Sequence, residues 1–122
     1  FAVNQLEVPE ILVLGHGACG GVAAALSQRF KGAPNGQGGF IAHWVDMLDP
    51  ARERIVAEHG TGPEAVCALE LETVRVSLVN LLTFPFVAER VAAGRLKLHG
   101  AYFAIADGVL HVMGEDGAFA PA

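Results

Sequence analysis

The chain has 122 residues, 52% of them hydrophobic and 17% charged, with a formal net charge of −5. That length suits one domain with a core of its own. An acidic chain without a basic stripe argues against nucleic acid, and no apolar run nears the ~18 residues a bilayer span needs, which argues against a membrane role.

The opening FAVNQLEV is amphipathic but uncapped, so it reads as the tail of a helix that begins elsewhere. It lacks the charged and apolar regions of a signal peptide. With only Cys19 and Cys67 as thiols, a reducing cytoplasmic setting is expected. After Pro9, Ile11–Leu14 is a short apolar run suited to a central strand buried on both faces of a parallel sheet. A glycine turn follows, then a helix from Val22 to Phe30 by propensity. KGAPNGQGG, Lys31–Gly39, is a loop.

Phe40–Leu48 repeats apolar residues at helical spacing. Asp49-Pro50 supplies an N-cap and a first-turn proline for a helix over Ala51–His59. Gly60-Thr61-Gly62 breaks it, and Pro63 opens the longest helix, Glu64–Leu82. Past its first turn the strongly polar positions are Glu70, Glu72, Arg75 and Asn80, so it should be mostly buried. A short helix runs from Pro85 to Gly94. Leu96 and Leu98 alternate with Lys97 and His99 as in a strand. Asp107-Gly108, between Tyr102–Ala106 and Val109–Met113, signals a hairpin. Residues from Glu115 onward read as a loose tail.

The expected fold is therefore α/β: a mostly parallel sheet with flanking helices and a C-terminal antiparallel hairpin. One strand before the helices is too few for a full sheet, so the chain reads as incomplete on its own. A mean hydropathy of +0.42 calls either for a large core or for surfaces buried against another chain.

The turn LGHGACGG admits three chemistries. As G-x-G-x-x-G (Gly15, Gly17, Gly20) it is a dinucleotide loop, but that fingerprint wants a second strand and an acidic residue about 20 positions on. Asn35–Phe40 offers neither. As G-x-C-x-G, Cys19 sits on a nucleophile elbow, with His99 and Asp107 available as base and acid, though in an order unlike the hydrolases. As H-x-x-C, His16 at a strand end and Cys19 at a helix start face one crevice, and imidazole with thiolate suits zinc. Without metal the pair is a loop histidine and a small buried cysteine.

The remainder of the chain separates these. GHGACGGV resembles the G-H-x-x-C-G-G zinc turn of the beta-class carbonic anhydrases. FAVNQLEVPEILVLGH, ETVRVSLVNLLTFPFV and GRLKLHGAYFAIADGVL resemble that family's preceding helix and strand, its later helix, and its closing strand and hairpin, in the same order. The resemblance runs from Phe1 to about Leu110, and implies a single domain over residues 1–122 that forms the C-terminal portion of such an enzyme.

The resemblance implies a zinc cofactor, with His16 and Cys19 as the last two of four positions around it. It also implies a Gly20 backbone N–H offered to a small anion. The implied activity is reversible hydration of carbon dioxide to bicarbonate, in a homodimer or larger homo-oligomer. The family's upstream C-x-D-x-R segment, which brings another zinc cysteine and the Asp–Arg pair that orients the zinc-bound water, is absent. No catalytic side chain is then expected in this chain, and the N-terminal portion of the same protein is its expected partner. Ala104 stands where the family commonly has an acidic residue. Cys67 is expected to be a buried small hydrophobe, and His43, His59, His99 and His111 to be exposed or partnered. Two competing functions are a non-catalytic partner-binding domain and a Cys19 nucleophile hydrolase.

Overall fold

Ile11–Leu14 lies inside a longer strand, β1 (Glu10–His16), in the computed structural model, which describes all residues from Phe1 to Ala122. β1 pairs in parallel with β2 (Lys97–Ala104). β2 then pairs antiparallel with β3 (Val109–Met113), and β3 antiparallel with β4 (Phe119–Pro121), in the order β1-β2-β3-β4. The architecture is α/β, as expected. The sheet is mixed, because only the β1-to-β2 connection is a helical crossover and the remaining strands follow one another through tight turns.

That crossover contains α1 (Gly20–Ser27), α2 (Gly39–Val45), α3 (Asp49–His59), α4 (Pro63–Leu81) and α5 (Pro85–Ala92), with 3-10 turns at Asn35–Gln37 and Asp46–Leu48. Asp49 is not the N-cap of α3. The 3-10 turn runs straight into the helix, so Asp49 is its first residue and Leu48 precedes it with no side-chain cap.

Helix α4 organises the molecule. Its stripe Ala65, Leu69, Val74 and Leu78 is buried. The N-terminal half packs with Val22, Ala25 and Leu26 of α1 and Ala51 and Ile55 of α3 in the larger core. Val74 and Leu78 lie on the sheet over Gly15 and Gly100. A smaller core joins Val3, Val87 and Leu96. Only 19 of the 122 residues are buried, and the larger of the two clusters holds 8 of them, so the apolar excess does not go into one large core. Much of it lies on the sheet face away from α4, where Leu12, Leu14, Phe103, Leu110 and Val112 are exposed.

Three expectations change. Phe1–Val8 is a hydrogen-bonded turn, not a helix: Glu7 adopts φ 52°, which stops helical propagation before Pro9. β1 is an edge strand with alternating exposure, because no strand in this chain pairs with its free side. The tail after Glu115 is ordered into β4. Arg75 of α4 donates from Nε to the Gly117 carbonyl (2.9 Å) and lies 5.1 Å above the Phe119 ring, fixing the segment from outside. The hairpin forms, with β2 ending at Ala104 and Gly108 at φ 67° closing the turn.

Candidate metal centre

Three residues, Gly17, Ala18 and Cys19, join the end of β1 to the start of α1. Gly17 N–H donates to the Phe103 carbonyl at 2.9 Å, extending the β1–β2 ladder one step past the strand. A Cβ on Gly15 would lie 2.6 Å from Val74 Cγ2, and one on Gly17 3.0 Å from the Tyr102 hydroxyl. These glycines therefore let α4 and Tyr102 approach the turn, which explains the G-x-G without a dinucleotide. No second strand follows α1 either: Asn35–Gln37 is a 3-10 turn.

Ala18 takes φ 54°, a left-handed conformation costing a non-glycine residue about 1–2 kcal/mol. Cys19 then returns to extended geometry as the N-cap of α1, and its side chain makes no capping hydrogen bond. The thiol is half-buried and unpaired with any other sulfur. Gly20, the first residue of α1, is exposed with open space beside it, and an amide at that position has no intrahelical acceptor.

His16 is exposed at the strand end, with Nδ1 2.9 Å from the Gly17 carbonyl. A carbonyl only accepts, so Nδ1 carries the proton and Nε2 keeps a lone pair. That tautomer is the one a metal needs when it binds through Nε2. Imidazole and thiol thus both arrive with their ligating atoms unused by the protein. They fit half of a tetrahedral zinc set. No group of three or more His, Cys, Asp or Glu able to hold a metal exists in the chain.

His43 and His59 are exposed, as expected, while His99 is half-buried with its Nε2 lacking a hydrogen-bond partner. His43 lies 3.8 Å from Asp46, His59 3.8 Å from Glu58 and His99 3.7 Å from Glu10, while His111 packs 6.2 Å from the Tyr102 ring. His99 pairs across from Leu12 and faces Glu10 at the start of β1. Leu12 stands four residues before His16 on β1, about 13 Å at strand rise, which holds His99 away from the Cys19 turn. Asp107, in the hairpin turn, lines a cleft with Gly17 and Ala18, but His99 stays down the sheet, so these two do not assemble as acid and base at Cys19. Cys67 is exposed, contrary to expectation, because α4 turns that position away from its buried stripe. It lines an open cleft of ≈ 590 Å³ with Gly17, Ala18, Tyr102 and His111.

The residue that sequence reasoning passed over is Glu70. It is 4% exposed, the one charged side chain in the core. Its Oε1 accepts the Cys19 N–H at 2.9 Å, and its Oε2 accepts the Tyr102 hydroxyl at 2.8 Å. Burial, then the hydrogen bond and charge of Glu70, push the Tyr102 hydroxyl well above the ordinary tyrosine value, so Tyr102 stays a donor. The available cue was that Glu70 stands one turn before Val74 on the apolar stripe of α4, where a carboxyl has to have partners.

Among known proteins, the family profile described as carbonic anhydrase matches residues 1–110. Beta carbonic anhydrase 3 of Arabidopsis thaliana is 35% identical over all of this chain, which spans 48% of that protein. The beta-carbonic anhydrase CcaA shares the fold at a TM-score of 0.85 and 24% identity, over 99% of this chain and 59% of that one. A tetrameric beta-carbonic anhydrase of the ascomycete Sordaria macrospora superposes at a TM-score of 0.75 and 28% identity, over 93% of this chain and 56% of that one. The chain thus spans about half the length of the relatives it matches.

Proposed function

The chain belongs to the beta-class carbonic anhydrase family, and from that membership we propose that it forms part of an active site for the reversible hydration of carbon dioxide to bicarbonate. The observation that carries this reading is the family match across the His16–Cys19 turn, in a structure where both ligating atoms are left free by the protein.

His16 Nε2 and Cys19 Sγ would hold zinc. When bound, zinc supplies a Lewis acid that makes water nucleophilic near neutral pH. The protein's own contribution is orientation. The Gly17 carbonyl fixes the tautomer and plane of His16, and the rigid turn sets where the Cys19 thiol points. Gly20 N–H, at the positive end of α1, suits a small anion such as bicarbonate. Hydration of carbon dioxide yields bicarbonate and one proton, which passes to solvent.

Four-coordinate zinc with one open position takes three protein ligands. The remaining ligand, and the acidic and basic pair that would orient the attacking water, would have to come from polypeptide outside these 122 residues. A homo-oligomer is supported by the exposed Leu12, Leu14 and Phe103 face and by the tetrameric Sordaria relative. Two unpaired cysteines suit a reducing, cytoplasmic compartment.

The test is stopped-flow hydration of carbon dioxide with a pH indicator, on the protein and on its His16→Ala and Cys19→Ser variants. Catalysis that both substitutions abolish supports the reading. A folded protein that neither binds zinc nor hydrates carbon dioxide would instead be a non-catalytic, partner-binding domain. The observation favouring that second reading is that this chain holds only two of the ligands.

A further inference from the structure

Nothing in the hydration chemistry itself calls for the buried carboxyl of Glu70, yet it is the only charged group in the core and both of its oxygens are engaged. A leucine at this point of the α4 stripe would pack without the desolvation cost of a carboxyl. The explanation lies in the turn opposite. The left-handed residue Ala18 rotates the next peptide so that the Cys19 N–H points at α4 and not along the β1–β2 ladder, which ends with Gly17 donating to Phe103. Glu70 is placed to receive that N–H, and Tyr102, reaching over from β2, holds the other carboxyl oxygen.

We infer that Glu70 is a positioning residue for the metal ligand Cys19, fixing the direction of its thiol through the Cys19 main-chain N–H, with Tyr102 holding Glu70 in place. The inference rests on the proposed metal site. The thiol leaves the same Cα whose amide Glu70 grips, so a tilt of that peptide plane turns the Cα–Cβ bond and swings the sulfur relative to His16. Ala23 N–H holds the Cys19 carbonyl at 3.0 Å as the first bond of α1, and Glu70 is the one hydrogen-bond partner on the amide side, so the two together fix the backbone on either side of the Cys19 Cα. His16 has its own equivalent in the Gly17 carbonyl. Each ligand therefore has one hydrogen-bonded orienter, and the two orienters come from different parts of the chain. Metal-ligand orienters of this kind typically change metal affinity by about 10–100-fold when removed.

The test replaces zinc by cobalt(II) in the purified protein and in its Glu70→Gln, Glu70→Ala and Tyr102→Phe variants. It reads the sulfur-to-cobalt charge-transfer absorption, cobalt affinity by chelator competition, and thermal melting. Glu70→Ala is expected to shift the charge-transfer band and weaken cobalt binding by about 10–100-fold. Glu70→Gln, whose amide oxygen still accepts the Cys19 N–H, should stay close to wild type. Tyr102→Phe should fall between the two.

A Glu70→Ala protein that melts lower but keeps the wild-type band and affinity overturns the inference and leaves Glu70 a purely structural residue. Equal losses in Glu70→Gln and Glu70→Ala overturn it as well, because acceptance of the hydrogen bond would then not be what matters. If Glu70→Ala does not fold, Tyr102→Phe decides, and an unchanged band and affinity there overturn it. Absence of a thiolate band in the wild type is a different result: it removes the metal site itself.

Discussion

At the residue scale, the turn from β1 to α1 leaves the two candidate ligating atoms unused and fixes the groups beside them. His16 places its proton on the Gly17 carbonyl side, and Cys19 is gripped by its amide and not by its sulfur. The strand-turn-helix context of the candidate pair His16 and Cys19 was legible in the sequence because it is local. Glu70 was not, since its partners lie 51 and 32 positions away and only folding brings them together. Cys67 was misread for a related reason: a cysteine in an apolar helix is exposed or buried according to which neighbours the helix acquires, and the cleft beside it is formed by β2 and β3. Tyr102 is the chain's single tyrosine, so its ionisation can be followed alone by near-ultraviolet tyrosinate absorbance. Its ionisation is raised above the ordinary value of 10.0 in the folded protein. The associated stability is therefore complete below about pH 10 and declines as pH rises from there toward the folded value. The native protein should show no tyrosinate at pH 10, the denatured protein about half, and Glu70→Ala should move the native midpoint downward. A native midpoint at the ordinary value would contradict the Glu70–Tyr102 pairing.

At the element scale, α4 sets the geometry of the site because Val74 rests directly on Gly15 and Glu70 reaches Cys19. Gly15→Ala puts a methyl 2.6 Å from Val74 Cγ2. Overpacking of this kind costs about 1–3 kcal/mol, and forcing α4 away also stretches the Glu70 contact. Thermal melting should fall accordingly and cobalt or zinc affinity should fall with it. The matched change Gly20→Ala meets nothing within 4 Å and should leave stability nearly unchanged. Equal melting temperatures for Gly15→Ala and wild type would show that the α4–β1 contact is looser than described. α4, with strong periodicity, was readable from sequence, whereas β2 was read as two pieces, at Leu96–His99 and Tyr102–Ala106, that the structure joins across Gly100 into one strand. β4 was not readable: three residues carry no periodic signal, and the segment leading into it is anchored at Gly117 by Arg75, 42 positions earlier. The N-terminal segment has helical spacing, but Glu7 and Pro9 interrupt it before a helix can propagate.

For the whole molecule, hydropathy and burial point the same way. Few residues are buried, while Leu12, Leu14, Phe103, Leu110 and Val112 form an apolar sheet face open to solvent. A monomer rarely leaves so continuous a surface uncovered. The protein should therefore have a solution mass, by light scattering, of at least twice that of one polypeptide, and a monomer at micromolar concentration would contradict the oligomer. The family match, the free Nε2 of His16 and the uncapped Cys19 converge on one claim, that this pair holds zinc. The most direct measurement is zinc per chain by elemental analysis of the purified protein beside its His16→Ala and Cys19→Ser variants. With the polypeptide that supplies the remaining ligands present, stoichiometric zinc is expected in the wild type and its loss in both variants while they remain folded. A wild type then free of zinc, or a Cys19→Ser protein that keeps its full complement, would contradict that claim.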